Sequence, residues 1–150
     1  MADTTDTGAD EAEIRRLLEE RAAAMRAKDV QASLARIAPD VVTYELAPPL
    51  RYAGDQARDP GGLQEWYDSF TGPVGIESRD LKVFVGGDVA FCHGLALLTG
   101  ERAGGEKSRV WFRETVGLRR TGGRWEIVHA HASVPLYMDG SGKAALDLEP

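Results

Sequence analysis

Trp111-Phe112-Arg113-Glu114-Thr115-Val116-Gly117-Leu118-Arg119-Arg120, then Thr121-Gly122-Gly123, then Arg124-Trp125-Glu126-Ile127-Val128-His129-Ala130-His131-Ala132-Ser133-Val134-Pro135, reads as one long β-hairpin. Aromatic and β-branched residues alternate with polar ones on both sides of a glycine turn. The same period of two runs through residues 75–85 and 89–99, joined by Gly86-Gly87-Asp88, and Ala103-Gly104-Gly105 leads into the next stretch. The spacing predicts four strands, over 75–85, 89–99, 107–119 and 124–135. Strands this long twist strongly. A four-strand meander cannot cover its apolar face alone, so helices must lie on it.

The first half supplies those helices. Residues 1–9 are polar and acidic and read as a disordered tail. Asp10, with Glu13 three residues later, has the form of a helix cap. Ile14, Leu17, Leu18, Ala22 and Met25 follow helical spacing, and the helix is expected to end near Lys28. Asp29 restarts a short helix through Val30, Leu34 and Ile37, which Pro39 stops. Residues 41–46 read as a strand broken by Pro48-Pro49, and 50–53 as a short return strand. Asp59-Pro60 starts a third helix, with Leu63, Trp66, Tyr67 and Phe70 as its apolar face. The expected fold is α+β, a curved antiparallel sheet wrapped around N-terminal helices with a pocket in the cone. One domain spans 10–138, and 139–150 forms a weakly patterned C-terminal tail.

The chain has 150 residues, 43% of them hydrophobic, enough for a single domain with a core of its own. Its net charge of −6 disfavours nucleic acid and anionic membranes, which attract basic patches. Cys92 is the only cysteine, so neither an intrachain disulfide nor a thiolate cluster can form. The start lacks the basic and apolar regions of a secretory signal. No apolar run reaches the roughly 20 residues of a membrane helix. A cytoplasmic location is expected.

The hairpin resembles the closing hairpin of SnoaL-like, ketosteroid-isomerase-like proteins of the NTF2-like superfamily. It is most similar to the small bacterial subgroup named for enediyne-cluster members, the SgcJ/EcaC type. Ala47-Pro48-Pro49-Leu50, Trp66-Tyr67-Asp68-Ser69-Phe70, Gly86-Gly87-Asp88-Val89-Ala90-Phe91 and Leu146-Asp147-Leu148 agree with it. The resemblance spans residues 11–150 and implies an NTF2-like cone. The hairpin is also similar to the association domain of calcium/calmodulin-dependent protein kinases, which shares a His-x-His-x-Ser ending and works by oligomerising. Relatives dimerise through the sheet, so a homodimer is implied, with Phe112, Val116 and Leu118 as the open apolar face. The fold hosts isomerases, cyclases, hydrolases, dehydratases and association domains, so it selects no single reaction.

Three polar residues interrupt apolar stretches and are the candidate catalytic groups. Glu45 lies in the predicted strand 41–46, where burial would raise its pKa and suit it to proton transfer. Its alternative is a strand-end acid facing solvent. The resemblance places the kinase association domain's pocket glutamate here. His93 shares a face with Phe91, Leu95 and Leu97, as a proton carrier or a satisfied core histidine. Arg113 shares a face with Trp111 and Thr115, as an anion holder or as a structural partner of Glu45 or Glu114. Trp66, Tyr67, Trp111 and Thr115 are candidate substrate-binding residues, with core packing the alternative for both tryptophans. His129 and His131 share a face with Trp125, Ile127 and Ser133 but lack a third ligand, so no metal is expected. Carry-over from the association domain puts its pocket arginine at Ala132, on the opposite face. Family members carry an acid where this chain has Ala130.

The reading that follows is a small-molecule protein binding an apolar, cyclic or polyketide-like compound. If it is an enzyme, its chemistry is cofactor-free acid–base work of the isomerase, cyclase or dehydratase kind. Glu45 or His93 would move the proton and Arg113 would hold negative charge. The alternative is a non-catalytic ligand-binding or association domain. No dinucleotide fingerprint, haem motif or redox cysteine pair points to an oxidoreductase.

Overall fold

The computed structural model describes residues 7–150. Helix α1 (Thr7–Arg26) is followed by α2 (Val30–Leu34), β1 (Ile37–Tyr44), β2 (Tyr52–Ala53), a 3-10 turn (Gly54–Arg58) and α3 (Pro60–Asp68). Four long strands complete the domain, β3 (Gly75–Gly86), β4 (Val89–Glu101), β5 (Lys107–Thr121) and β6 (Arg124–Ser133). The six strands form one sheet in the order β2-β1-β6-β5-β4-β3. β1 lies parallel to β6, and every other pairing is antiparallel. Among the described residues, no helix is long and apolar enough to cross a membrane.

Local chemistry explains most boundaries. Asp59 caps α3 by accepting from the Gly61 amide at 3.0 Å, with Pro60 in the first helical turn. Asp29 does the same for α2 through the Ala32 amide. β1 begins at Ile37 rather than at 41, because its pairing with β6 breaks between Ile37 and Val42. That irregularity accommodates Pro39, which has no N–H to contribute to a ladder. β3 bulges between Arg79 and Lys82, with Asp80 at φ 57. A side chain at Gly94 on β4 would meet this bulge, 3.0 Å from the Arg79 carbonyl oxygen. As an edge strand, β3 is guarded by the bulge and by Glu77, Arg79 and Lys82 along its exposed length.

Two expectations for the N-terminus change. α1 starts at Thr7, inside the stretch read as tail, while residues 1–6 lie outside the described residues. Asp10 is not the cap but a buried residue of the first turn. It accepts from Arg120 Nη1 at 2.6 Å and from Trp125 Nε1 at 3.3 Å. Arg120 also bonds Asp88 and lies over the Trp125 ring. An arginine expected at a solvated hairpin end therefore ties α1 to the β3–β4 turn and to the β5–β6 hairpin. The tail returns to the sheet as well, where Glu149 accepts from Arg109 and from Trp111 Nε1.

The core lies between α1 and one face of the sheet. Ile14 and Leu17 pack with Ala90 and Cys92 of β4, Val116 and Leu118 of β5, and Trp125 and Ile127 of β6. Even-numbered residues of β4 and β5 therefore face the helices, and odd-numbered ones face out. Phe112, Val116 and Leu118, expected on an open apolar face, are buried at 7%, 2% and 1% exposure. Each fully buried aliphatic side chain stabilises the fold by roughly 1.5–3 kcal/mol, and this row collects that gain.

The parity is testable by paired truncations on β5. Leu118→Ala should cost about 2–5 kcal/mol in urea unfolding, whereas Thr115→Ala should stay within about 0.5 kcal/mol. A larger loss at Thr115 than at Leu118 would overturn the assignment of faces.

Candidate functional site

The inward row of β5 runs Phe112, Glu114, Val116, Leu118, so one carboxylate stands among apolar side chains. Glu114 is in register with Gly94 on one side and Ala132 on the other. Both neighbours are small, Gly94 because the β3 bulge fills the place of its side chain and Ala132 on the side of the β1–β6 groove. β1 ends at Tyr44, which pairs with His131, so Glu45 lies just past the strand and is exposed rather than inside a buried strand. It shares the wall of one groove with Ala132, the cross-strand partner of Glu114. Burial pushes the Glu114 carboxyl above the usual carboxylate range. Arg21 opposes that shift and Glu45 reinforces it.

Arg21 comes from the inward stripe of α1, where Ile14, Leu17 and Ala24 are buried. Its positive charge works against the upward shifts of both the Glu114 carboxyl and the Tyr67 phenol. It makes no ion pair or hydrogen bond among the described residues, and its Nε is buried without a partner. Thr43 Oγ1, near the end of β1, is likewise buried and unpartnered. Tyr67 is fully buried, with its hydroxyl 2.7 Å from Ser33 Oγ. Ser33 Oγ gives its single proton to the Asp29 carbonyl at 2.6 Å, so Tyr67 is the donor in this pair. The phenol therefore offers the interior lone pairs rather than a proton.

A groove of about 600 Å³ opens at the end of β1 and β6, lined by residues 44–50 and 131–134. Glu45 and Ala132 belong to its wall. Leu46, at 43% exposure, and Leu50, at 96%, make its rim apolar. Ala132 links this groove to Glu114, its cross-strand partner.

The structure divides the residues expected to act together. Glu45 belongs with Glu114 and the groove. His93, Arg113, Thr115 and Trp111 lie on the opposite, outer face, because odd positions of β4 and β5 point away from α1. His93 and Thr115 are direct partners and share a shallow groove with Asp80, Lys82, Gly94, Leu95, Arg113 and Glu114. Arg113 Nε donates to Ser133 Oγ at 3.2 Å and reaches neither Glu45 nor the Glu114 carboxyl. Trp111 is held by Glu149 and lies under Arg79, 4.9 Å from guanidinium to ring centroid. The triad of Glu45, His93 and Arg113 is therefore not assembled. Tyr67 lines the interior, and Trp66 packs on Tyr67 and Phe70. His129 and His131 face outward beside Tyr44, not with Trp125 and Ile127 as strict alternation placed them, because the β5–β6 register shifts between Gly117 and Leu118 and changes the parity of β6 at Val128. Among the described residues, no three His, Cys, Asp or Glu side chains are placed to hold a metal. Burial pushes the Cys92 thiol up to about 11, so it is inert packing.

Glu114 and Arg21 carried a sequence signal that parity or helical spacing alone reveals. Glu114 is the one charge in the alternate row Val110, Phe112, Glu114, Val116, Leu118. Arg21 continues the spacing 14, 17, 21, 24.

The family model of the SnoaL-like domain matches residues 14–137. The chain belongs to the SnoaL-like family. An NTF2-like protein of unknown function from Pseudomonas putida KT2440 is 33% identical, with 96% of this chain and 99% of that one covered and a TM-score of 0.83. An NTF2-like superfamily protein from Salmonella enterica serovar Typhimurium is 17% identical over 91% and 99%, with a TM-score of 0.76. A provisionally named scytalone dehydratase from Novosphingobium aromaticivorans is 15% identical over 94% and 95%, with a TM-score of 0.77. The last two likenesses show the fold alone. No curated protein matches the chain. The SnoaL-like cone thus accounts for the helices, the curved sheet and the placement of Glu114 beneath α1.

Proposed function

We propose that this SnoaL-like protein binds a small molecule in the cone and moves a proton on it without a cofactor, with Glu114 as the proton carrier. The observation that carries this reading is the Glu114 carboxyl itself. It stands under the helices, raised by burial, with no hydrogen-bond partner among the described residues, facing an equally unpaired Arg21. A carboxyl tuned upward towards neutrality is suited to both halves of acid–base catalysis. Protonated, it gives its proton to a carbonyl or departing hydroxyl oxygen. The carboxylate so formed takes a proton from the adjacent carbon, which restores the acid. That sequence covers isomerisation and dehydration, and Arg21 stabilises negative charge throughout. Glu45 guards the groove through which an apolar or aromatic compound enters past Leu46 and Leu50. The kinship in fold with a provisionally named dehydratase agrees with this chemistry.

A second reading concerns the outer face. Phe84 and Phe91 are each 48% exposed and stack with ring centroids 4.9 Å apart, with His93 against Phe84. Such a pair suits a homodimer formed sheet to sheet. Phe91→Asp should then halve the sedimenting mass. An unchanged mass would sink that reading without touching the cone.

Catalysis is read out by hydrogen–deuterium exchange, followed by NMR, at the acidic carbons of a panel of cyclic ketones and β-hydroxy carbonyl compounds. Wild type should accelerate exchange. Glu114→Gln should lose about 100-fold or more, and His93→Ala should keep the rate. Exchange that survives in Glu114→Gln but disappears in His93→Ala would transfer the role to the outer face.

A further inference from the structure

We infer that the ligand of the cone is an organic acid, whose carboxylate docks on the Arg21 guanidinium opposite Glu114. The inference rests on the cone interior being a ligand site, and it names the ligand's chemical class.

The starting point is a missing countercharge. A guanidinium in the inward stripe of α1 replaces what Ile14, Leu17 and Ala24 supply elsewhere, namely apolar packing. A charge so placed is costly unless an anion meets it. Arg15, Arg26, Arg36, Arg109, Arg119 and Arg120 each have a carboxylate partner. Arg21 has none among the described residues, as is true of seven other arginines, but of those only Arg58 likewise has a buried Nε without an acceptor, and Arg58 lies in the 3-10 turn rather than on the inward stripe of α1.

The groups around it do not supply what is missing. Glu114 is near enough to be felt electrostatically but makes no ion pair with Arg21, and burial shifts its pKa upward. Tyr67 faces Arg21 as a neutral phenol, its proton committed to Ser33. Thr43 Oγ1 adds a hydroxyl that donates to nothing. Buried polar groups are normally satisfied, so the two unsatisfied groups that face the interior, Arg21 Nε and Thr43 Oγ1, define a partner by subtraction. That partner must accept from a guanidinium, accept from a hydroxyl and bring one negative charge. A carboxylate meets all three requirements, and its planar oxygens match the guanidinium fork. A neutral ketone or amide meets only the hydrogen-bond requirements and leaves the charge uncompensated. On the sheet side Ala132 opens towards the groove at the end of β1 and β6, which has space for the rest of the molecule.

A residue kept for a ligand should be a burden to the empty protein. Arg21→Met, which retains the bulk and removes the charge, should therefore raise the melting temperature of the ligand-free protein. The ligand side is tested with matched pairs of acids and amides, namely benzoate and benzamide, phenylacetate and phenylacetamide, hexanoate and hexanamide. At least one acid should raise the wild-type melting temperature saturably, and its amide should not. The acid's effect should fall at least about tenfold in apparent affinity in Arg21→Met, recover in part in Arg21→Lys, and persist in Glu114→Gln. If Arg21→Met destabilises the empty protein, Arg21 has a structural role and the inference fails. It fails equally if no acid binds, or if the amides bind as well as the acids. Acid binding that persists in Glu114→Gln, with proton exchange absent in wild type, would remove the catalytic reading and leave this one standing.

Discussion

Every second side chain of β5 points at α1, and shifting one of them to the other face means shifting the register of the whole sheet. That alternation is the constraint from which the rest of the molecule follows. It puts Val116 and Leu118 into the core with Ile14 and Leu17. It sends Arg113 and Thr115, their immediate neighbours, to the outside. It also forces Glu114 inward, because Glu114 shares their row. The buried carboxyl is not an addition to the fold but a position in it, occupied by an acid where Phe112 and Val116 show what an ordinary core would have placed.

The cost of that choice is balanced elsewhere. The Asp10, Arg120 and Trp125 cluster joins α1 to β5, β6 and the β3–β4 turn at the far end of β5 and is held by hydrogen bonds. Around Glu114 the opposite holds. Arg21 Nε and Thr43 Oγ1 are buried and unpartnered, and the neighbouring sheet positions are glycine and alanine. Burial of Glu114 and exposure of the apolar rim at Leu46 and Leu50 both contribute to this division.

Much of the architecture was legible because it rests on local signals. Asp59-Pro60 announced α3 by capping chemistry, and the glycine turns announced the hairpins. The SnoaL-like character was legible in the closing hairpin. The site was less legible, and for a definite reason. His93 and Arg113 stand out in sequence because each interrupts a run of bulky residues, but a strand buried on one face interrupts such runs at every second residue. Which parity is interior depends on where α1 lies, and that is settled by tertiary packing. The row Val110, Phe112, Val116, Leu118 is the more apolar of the two on β5, and that comparison identifies Glu114. The parallel pairing of β1 with β6, which brings Glu45 and Ala132 to one groove, joins segments far apart in the chain and leaves no local trace. Asp10 likewise reads locally as a cap and acts instead through Arg120, a partner supplied only by the folded hairpin.

The central claim is that Glu114 is an interior carboxyl whose surroundings favour its neutral form. Because the folded protein holds that proton to higher pH than the unfolded chain does, keeping the group buried costs stability as pH rises through the interval between the two pKa values. The direct measurement is a carbon-13 NMR titration of the side-chain carboxyls of glutamate-labelled protein, with the Glu114 signal assigned by its loss in Glu114→Gln. The account predicts a Glu114 midpoint displaced upward from 4.5. A midpoint at or below that value would contradict it.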